Sequence, residues 1–505
     1  MIVEKKKRCM IVRFALKIFL IIMPILCTGN IAANAGISTP GKNLISGLHP
    51  LPDNYGKREQ VFNIITEPFS YKIKAISKDY TNFETETTPV GGAIVPPATS
   101  EITPAAPSPQ SNPDGSASMT ITALLNRETG TAAAYVSESI LYQLLSLSKL
   151  QADGTKDISI AILKVDGATD YIVDLPTNVL AKLTDTEDIT IKTEEANITL
   201  PSNMLNGDES VRNKNISLLI KKIDKSILSP EVQQRVIDKP VIFLAFIVDG
   251  VIKEYNNPDK PVTVSFNYKP TGAELLEPEF LVVWDIDNAG NLIEVPSGRY
   301  DAATGMVCFT TTHFDEYALV YNHKLFIDIN NSHWAKETIE ILASKGIARG
   351  TADRIFAPEG SITRGDYIAM LVKALGINTE INENFIDISI TDANFKEIAV
   401  AKKLGITNGV GNNMFKPDDY ISRQDLMVLT DRALTVAKKT KEKGILSDLD
   451  KFSDCREIAE YAKISVSNMV REGIILGNGK EIDPLSETTR AQAAAIVYRI
   501  YNKWK

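Results

Sequence analysis

The chain has 505 residues, a formal charge of −8 and an ordinary soluble composition, 44% hydrophobic and 23% charged, and this length calls for roughly two to four domains. The acidic surplus excludes bulk attraction to nucleic acid or to an anionic wall, so any anion must be held by local geometry. Four cysteines in a chain of this length do not make a disulfide scaffold, and no zinc-ligand spacing occurs.

Residues 1–35 have the layout of a secretory signal peptide: Lys5, Lys6, Lys7 and Arg8, then an apolar run over 18–27, then Ala33-Asn34-Ala35 as a cleavage signal. Lys17 limits the uninterrupted apolar run to about ten residues, short of the ~20 that a span needs. The membrane is therefore expected to be met only in transit. Cleavage would remove six basic groups and one acid, moving the formal charge from −8 to −13, and would leave Cys308 and Cys455 as the mature cysteines. Residues 36–84 read as a weakly structured lead-in with one short strand over 70–76. Residues 85–117 are rich in Pro, Thr, Ser and Ala and read as an extended linker.

From 118 to 322 the pattern is β-rich (α+β), with room for two subdomains. Strands are expected over 158–162, 189–191, 241–248, 262–266 and 280–284, with one helix over 139–150. Leu175-Pro176-Thr177-Asn178-Val179-Leu180 is echoed by Leu200-Pro201-Ser202-Asn203-Met204-Leu205, each reading as a strand end followed by a turn of helix. Residues 280–322 read as a meander. Asp285-Ile286-Asp287-Asn288-Ala289-Gly290 begins like a calcium loop, but Ala289 and Pro296 stand where ligands are needed, so a hairpin turn is expected. His313 has no partner pattern, and no nucleophile elbow, phosphate loop or metal-binding histidine pair occurs. No catalytic residue, metal or cofactor is assigned, and the chain is not expected to be an enzyme, the question being left open for residues 118–322.

The last third repeats itself. Phe326-Ile327-Asp328, Phe385-Ile386-Asp387 and Phe452-Ser453-Asp454 each precede, by 38 residues, an arginine beside a hydroxyl: Thr363-Arg364, Ser422-Arg423 and Thr489-Arg490. The units themselves are spaced by 59 and then 67 residues, so the inner distance is constrained and the connections are free. Each unit reads as helix, glycine-closed loop and helix. The hydroxyl and the residue three further on (Asp366, Asp425, Gln492) form a capping-box-like helix start. Phe356, Phe415 and Ile482 anchor the loop core. The arginine is left over: a cation in the first helical turn opposes the helix dipole, so it is assigned to an anionic ligand. The alternative is a structural arginine pairing with an acid, such as the Phe-x-Asp aspartate of a neighbouring repeat.

The motifs F-x-D, H-W-A, G-I-x-x-G, F-x-P and I-T-R, in this order and spacing, resemble the S-layer homology family over about residues 324–505. The resemblance implies a multidomain surface protein whose repeats, 324–384, 385–445 and 446–505, form one all-α pseudo-three-fold domain. Grooves between repeats would bind secondary cell-wall polysaccharide, typically through a pyruvate ketal. The arginine role then carries over to Arg364, Arg423 and Arg490, with Trp334, Thr489 and Gln492 beside them. The preceding module, about 262–322, resembles one found next to such repeats. Trp334 and Tyr461 fill the aromatic position twelve residues before the loop glycine, whereas the second repeat has Ala393, so Arg423 is expected to matter least. The implied setting is a bacterial cell wall or S-layer. A wall-anchored glycan-acting enzyme and a laterally self-assembling S-layer subunit are the alternatives.

Overall fold

The structure is a computed structural model. It describes residues 108–504, apart from 153, 182, 185, 202–203, 206–210, 212–213, 288 and 441, together with the backbone of three strands within 59–87. The expected signal peptide lies outside the described residues. Residues 1–105 and 106–505 are separate units. In the first, Glu59–Thr66, Phe69–Ile76 and Phe83–Thr87 pair antiparallel in chain order. The single strand expected over 70–76 is thus the middle one of three.

The second unit opens with a β-sandwich. One sheet runs through Arg299–Asp301, Met306–Thr311, Val262–Phe266, Ala196–Pro201, Glu187–Lys192, Lys156–Ile162, Ala117–Ile121 and Gln110–Ser111. The other runs through Leu292–Val295, Leu281–Ile286, Glu316–Tyr321, Val241–Val248, Ile216–Lys222, Asp170–Leu175, Thr131–Tyr135 and Leu124–Asn126, with Val251–Lys253 added beside Val241–Val248. The alternation that marks these strands in sequence places Ile158, Ile160 and Ile162, then Val262, Val264 and Phe266, in one continuous core between the sheets. Both sheets and this core run through the described residues of the region. The sandwich also starts earlier than composition suggests. Gln110–Ser111 pairs with Ala117–Ile121, and Asp114 receives the Ser116 N–H at 2.9 Å in the turn between them. The expected linker therefore ends before residue 110.

Residues 280–322 are not one meander. Leu281–Ile286 and Leu292–Val295 pair in one sheet, while Arg299–Asp301 and Met306–Thr311 pair in the other. The chain changes sheets at Gly298, where a Cβ would lie 3.0 Å from the Val283 nitrogen, so glycine permits the crossing. Leu281–Ile286 is buried along its full length because Pro230–Arg235 and neighbouring residues cover its outer face in a second apolar cluster with Trp284. Asp287 accepts the N–H groups of Ala289 and Asn291, both at 2.8 Å, as a hairpin turn requires. Asp285 instead pairs with His313 Nε2 at 2.8 Å.

Beyond residue 322 the described elements are helical. Each repeat contributes a pair: Lys336–Ser344 with Arg364–Leu375, Phe395–Lys403 with Arg423–Val436, and Lys463–Arg471 with Arg490–Lys503. The helices share one core, in which Tyr367 reaches Thr430 of the next repeat at 2.6 Å. At the axis the repeats are joined by backbone. Ile362 N–H donates to Thr488 O, Thr488 N–H to Ile421 O and Ile421 N–H to Ile362 O, closing a three-membered cycle flanked by isolated β-bridges.

The sandwich is packed directly onto this domain. Lys345, fully buried, donates to Gly298 O at 2.8 Å. Arg299 lies 4.2 Å over the Tyr501 ring, and His323 stacks on Phe280 with centroids 3.7 Å apart while meeting Glu340 at 3.1 Å. The loop glycines show what this contact demands. Gly346, Gly405 and Gly473 all have left-handed φ near +70°, but only at Gly346 would a Cβ collide, 2.6 Å from Glu294 Cβ.

Two stability predictions follow from this packing. Gly405→Ala and Gly473→Ala should each cost about 1–2 kcal/mol for the left-handed backbone. Gly346→Ala should cost measurably more in urea unfolding, because it also pushes on Glu294; equal losses at all three sites would contradict the tight junction. Separately, burial, with Asp285 and Glu316 adding repulsion, pushes the Asp315 carboxyl up to about 6 from an ordinary 3.8. The folded state thus holds that proton more tightly than the unfolded chain, and stability falls as pH rises through this window. Asp315→Asn keeps the oxygen that accepts the Glu316 N–H. It should raise stability by up to about 2 kcal/mol at pH 7.5, with the gain vanishing below pH 4.

Candidate functional site

Each second helix begins with the hydroxyl that the motif supplies. Thr363, Ser422 and Thr489 accept the N–H of Asp366, Asp425 and Gln492 at 3.2, 3.3 and 3.2 Å. Gln492 alone also returns its side chain to the cap N–H, so the third helix start is the complete capping box. The Phe-x-Asp aspartates act within their own repeats. Asp328 takes the N–H groups of Phe356 and Ala357, Asp387 those of Phe415 and Lys416, and Asp454 those of Ile482 and Asp483. Their hydrogen bonds are thus made inside the repeat, although Asp454 also acts on the neighbouring Arg423 through space.

The arginines cross between repeats instead. Arg364 Nε donates to Phe415 O at 3.2 Å, Arg423 Nε to Ile482 O at 2.7 Å and Arg490 Nε to Phe356 O at 2.8 Å. Every arginine thus grips the loop anchor of the next repeat, and the third reaches back to the first. Arg364 and Arg490 also lie over the ring they grip, 5.0 and 4.8 Å from its centroid.

Three grooves result, each between repeats, and they differ in what faces the guanidinium. In the first, Arg364 faces Asp425, whose carboxylate accepts the Tyr461 hydroxyl at 2.8 Å. Burial pushes the Arg364 guanidinium below its ordinary value, opposed by Asp425, Asp419 and Tyr461. In the second, Arg423 faces the neutral Gln492, with Nη1 and Oε1 3.4 Å apart. Burial lowers Arg423 too, opposed by Asp483 and Asp454. Trp334 holds the sequence position equivalent to Tyr461; it is 63% exposed and stacks against His333. In the third, Arg490 is only 5% exposed, and its nitrogens reach Phe356 O, Arg349 O and Asp366 Oδ2, the last at 2.8 Å. Asp366 also holds Arg349 at 2.8 Å and the Asn394 amide at 3.1 Å. Burial would raise the Asp366 carboxyl, but Asn394 and the two guanidinium groups outweigh it and hold it below the usual range.

The sequence expectation attached Ala393 to the arginine of its own repeat. The ring attaches it elsewhere: Asn394, next to Ala393, sits in the groove of Arg490. The groove without an aromatic wall is therefore that of Arg490, not Arg423. Sequence reasoning also passed over Asp366 and Asp425, which it took as helix-capping residues alone, and Arg349, which lies inside the G-I-x-x-G stretch. Cys308 and Cys455 are free thiols.

Comparison with known proteins agrees with this geometry. The S-layer homology domain family matches residues 325–368, 384–427 and 451–494. The chain is 31% identical over 322 residues to an amylopullulanase of Thermoanaerobacterium thermosulfurigenes, covering 63% of this chain and 16% of that protein. It is 37% identical over 180 residues to exoglucanase XynX of Acetivibrio thermocellus, covering 35% and 16%. It is 30% identical over 178 residues to an S-layer protein of Bacillus licheniformis, covering 34% and 19%. The chain therefore spans less than a fifth of the length of these relatives. The first alignment is longer than the repeat region, so that likeness extends into the β-sandwich. With three family matches falling on the three units of the closed ring, residues 325–494 are S-layer homology repeats, and the chain is a secreted bacterial protein held at the cell surface by them.

Proposed function

We propose that the repeats anchor the chain by binding an anionic secondary cell-wall polysaccharide, and that a carboxylate such as a pyruvate ketal is the group they recognise. The observation that carries this reading is the second groove. There the side chain bonded to a half-buried arginine is a neutral amide, with Asp483 and Asp454 acting on it only through space, and the register of Tyr461 would bring the exposed indole of Trp334 to the same groove. A guanidinium desolvated by its neighbours and left without a directly bonded carboxylate gains most from an incoming one, and an aromatic face suits the apolar side of a sugar ring. Arg364 would bind in the same way but more weakly, since Asp425 already faces it. Arg490 is a structural closure, and Thr489 and Gln492 shape the helix start beside Arg423. The sandwich, packed against the repeats, would be the part presented outward.

A second reading, a glycan-acting surface protein anchored the same way, is favoured by the enzymes among the relatives, each far longer than the stretch matched here. In that case the β-rich region would work on or beside a glycan, and turnover of wall or storage polysaccharide by the full chain would reveal it. Lateral assembly into a lattice by wall-free protein would instead point to an S-layer subunit.

Binding of the full chain to purified walls, before and after removal of pyruvate, tests the first reading. Arg423→Ala should lose the most, about tenfold or more, and Arg364→Ala less. Arg490→Ala should act mainly on stability, lowering it by about 2–4 kcal/mol. Equal binding to both wall preparations would sink the carboxylate–arginine mechanism.

A further inference from the structure

The third groove keeps an accessible cation although its family arginine is sealed. Arg490 and Arg349 share the two oxygens of Asp366, each at 2.8 Å. Two guanidinium groups and one carboxylate leave a net charge of +1, and the two arginines are placed very differently. The Arg490 side chain is 6% exposed, whereas that of Arg349 is 49% exposed with one terminal nitrogen on Asp366. Arg490 also donates to the Arg349 carbonyl, so the sealed arginine fixes the backbone of the open one. The positions equivalent to Arg349, three residues after the loop glycine, are Asn408 and Leu476. Neither carries charge, and in those two grooves the family arginine is only half-buried.

We infer that Arg349 takes the place of Arg490 as the ligand-facing cation of the third groove, making it a distinct subsite for an anionic group of the wall polymer. This rests on the anchoring role proposed above. Arg490 is then a positioning residue. The wall of this groove is Ala393 in place of an aromatic side chain, so it offers charge without a stacking platform. It suits an anionic substituent held by its oxygens, a carboxylate or a phosphate, more than a sugar ring held by its face.

The test uses the full chain carrying Arg364→Ala and Arg423→Ala together, with purified pyruvylated wall polysaccharide as probe and the same polymer with its carboxyls reduced as control. The double variant should keep a weak, salt-sensitive affinity for the unreduced polymer. Adding Arg349→Gln should lower that affinity about tenfold or more, and Arg349→Lys should restore part of it. The melting temperature should hold in both, because Arg490 still pairs with Asp366. Residual affinity that Arg349→Gln leaves unchanged, or a double variant with none, overturns the subsite. If Arg349→Gln lowers the melting temperature, recovery of binding by Arg349→Lys at an equally lowered melting temperature supports the charge role, and failure to recover overturns it. Retention of the affinity for the reduced polymer would point to a phosphate in place of the carboxylate. A double variant that binds as tightly as the unaltered chain would refute the roles of Arg364 and Arg423, while Arg349→Gln in the otherwise unaltered chain still judges Arg349.

Discussion

The repeat domain depends on one recurring bond: an arginine Nε donating to the carbonyl of a loop anchor in the following repeat. That carbonyl belongs to a residue whose own N–H is taken by the Phe-x-Asp aspartate of its repeat. The anchor is thus held on one side from within and on the other from its neighbour. Three copies close on themselves because Arg490 reaches Phe356, 134 residues away. The backbone cycle at Ile362, Ile421 and Thr488 is possible only in that closed arrangement, and so are the grooves, since each lies between units.

Given this ring, chemical identity at one position decides the character of each groove. The residue three beyond the cap hydroxyl points at the arginine of the preceding repeat. Asp366 seals its arginine with a buried ion pair, Asp425 competes for its arginine from a hydrogen bond with Tyr461, and Gln492 leaves its arginine without a directly bonded acid. A buried charge set against a carboxylate is costly to separate, whereas one set against an amide is open to a better partner. Equal backbones thereby yield three unequal sites. The sandwich adds its own asymmetry by packing on one part of the ring: Lys345, Gly346 and Tyr501 meet it, and the corresponding glycines of the other repeats face open space.

Local pattern carried much of this. The strands Val241–Val248 and Val262–Phe266 match the sequence reading residue for residue, because β-branched runs bounded by Gly and Pro leave few alternatives. The helix starts at Thr363, Ser422 and Thr489 were equally legible from their caps. What sequence could not deliver were relations between distant segments. Ala196–Pro201 pairs with Val262–Phe266 across more than sixty residues, which makes the sandwich continuous, and nothing in either strand names the other. Ala393 was legible as a missing aromatic, but assigning it to Arg490 requires knowing that the groove crosses repeats. The strand Gln110–Ser111 was hidden because its surroundings have the composition of a linker and its pairing is set by a turn.

The closing contacts of the ring also set an order in time. The elements that lock the first repeat, Thr488 and Arg490, belong to the third unit and are synthesised after the first two units. Until they arrive the first two units lack a closing neighbour, and the loop entropy of bringing such distant segments together has not been offset. A chain built in this way can close its ring only once all three units are present.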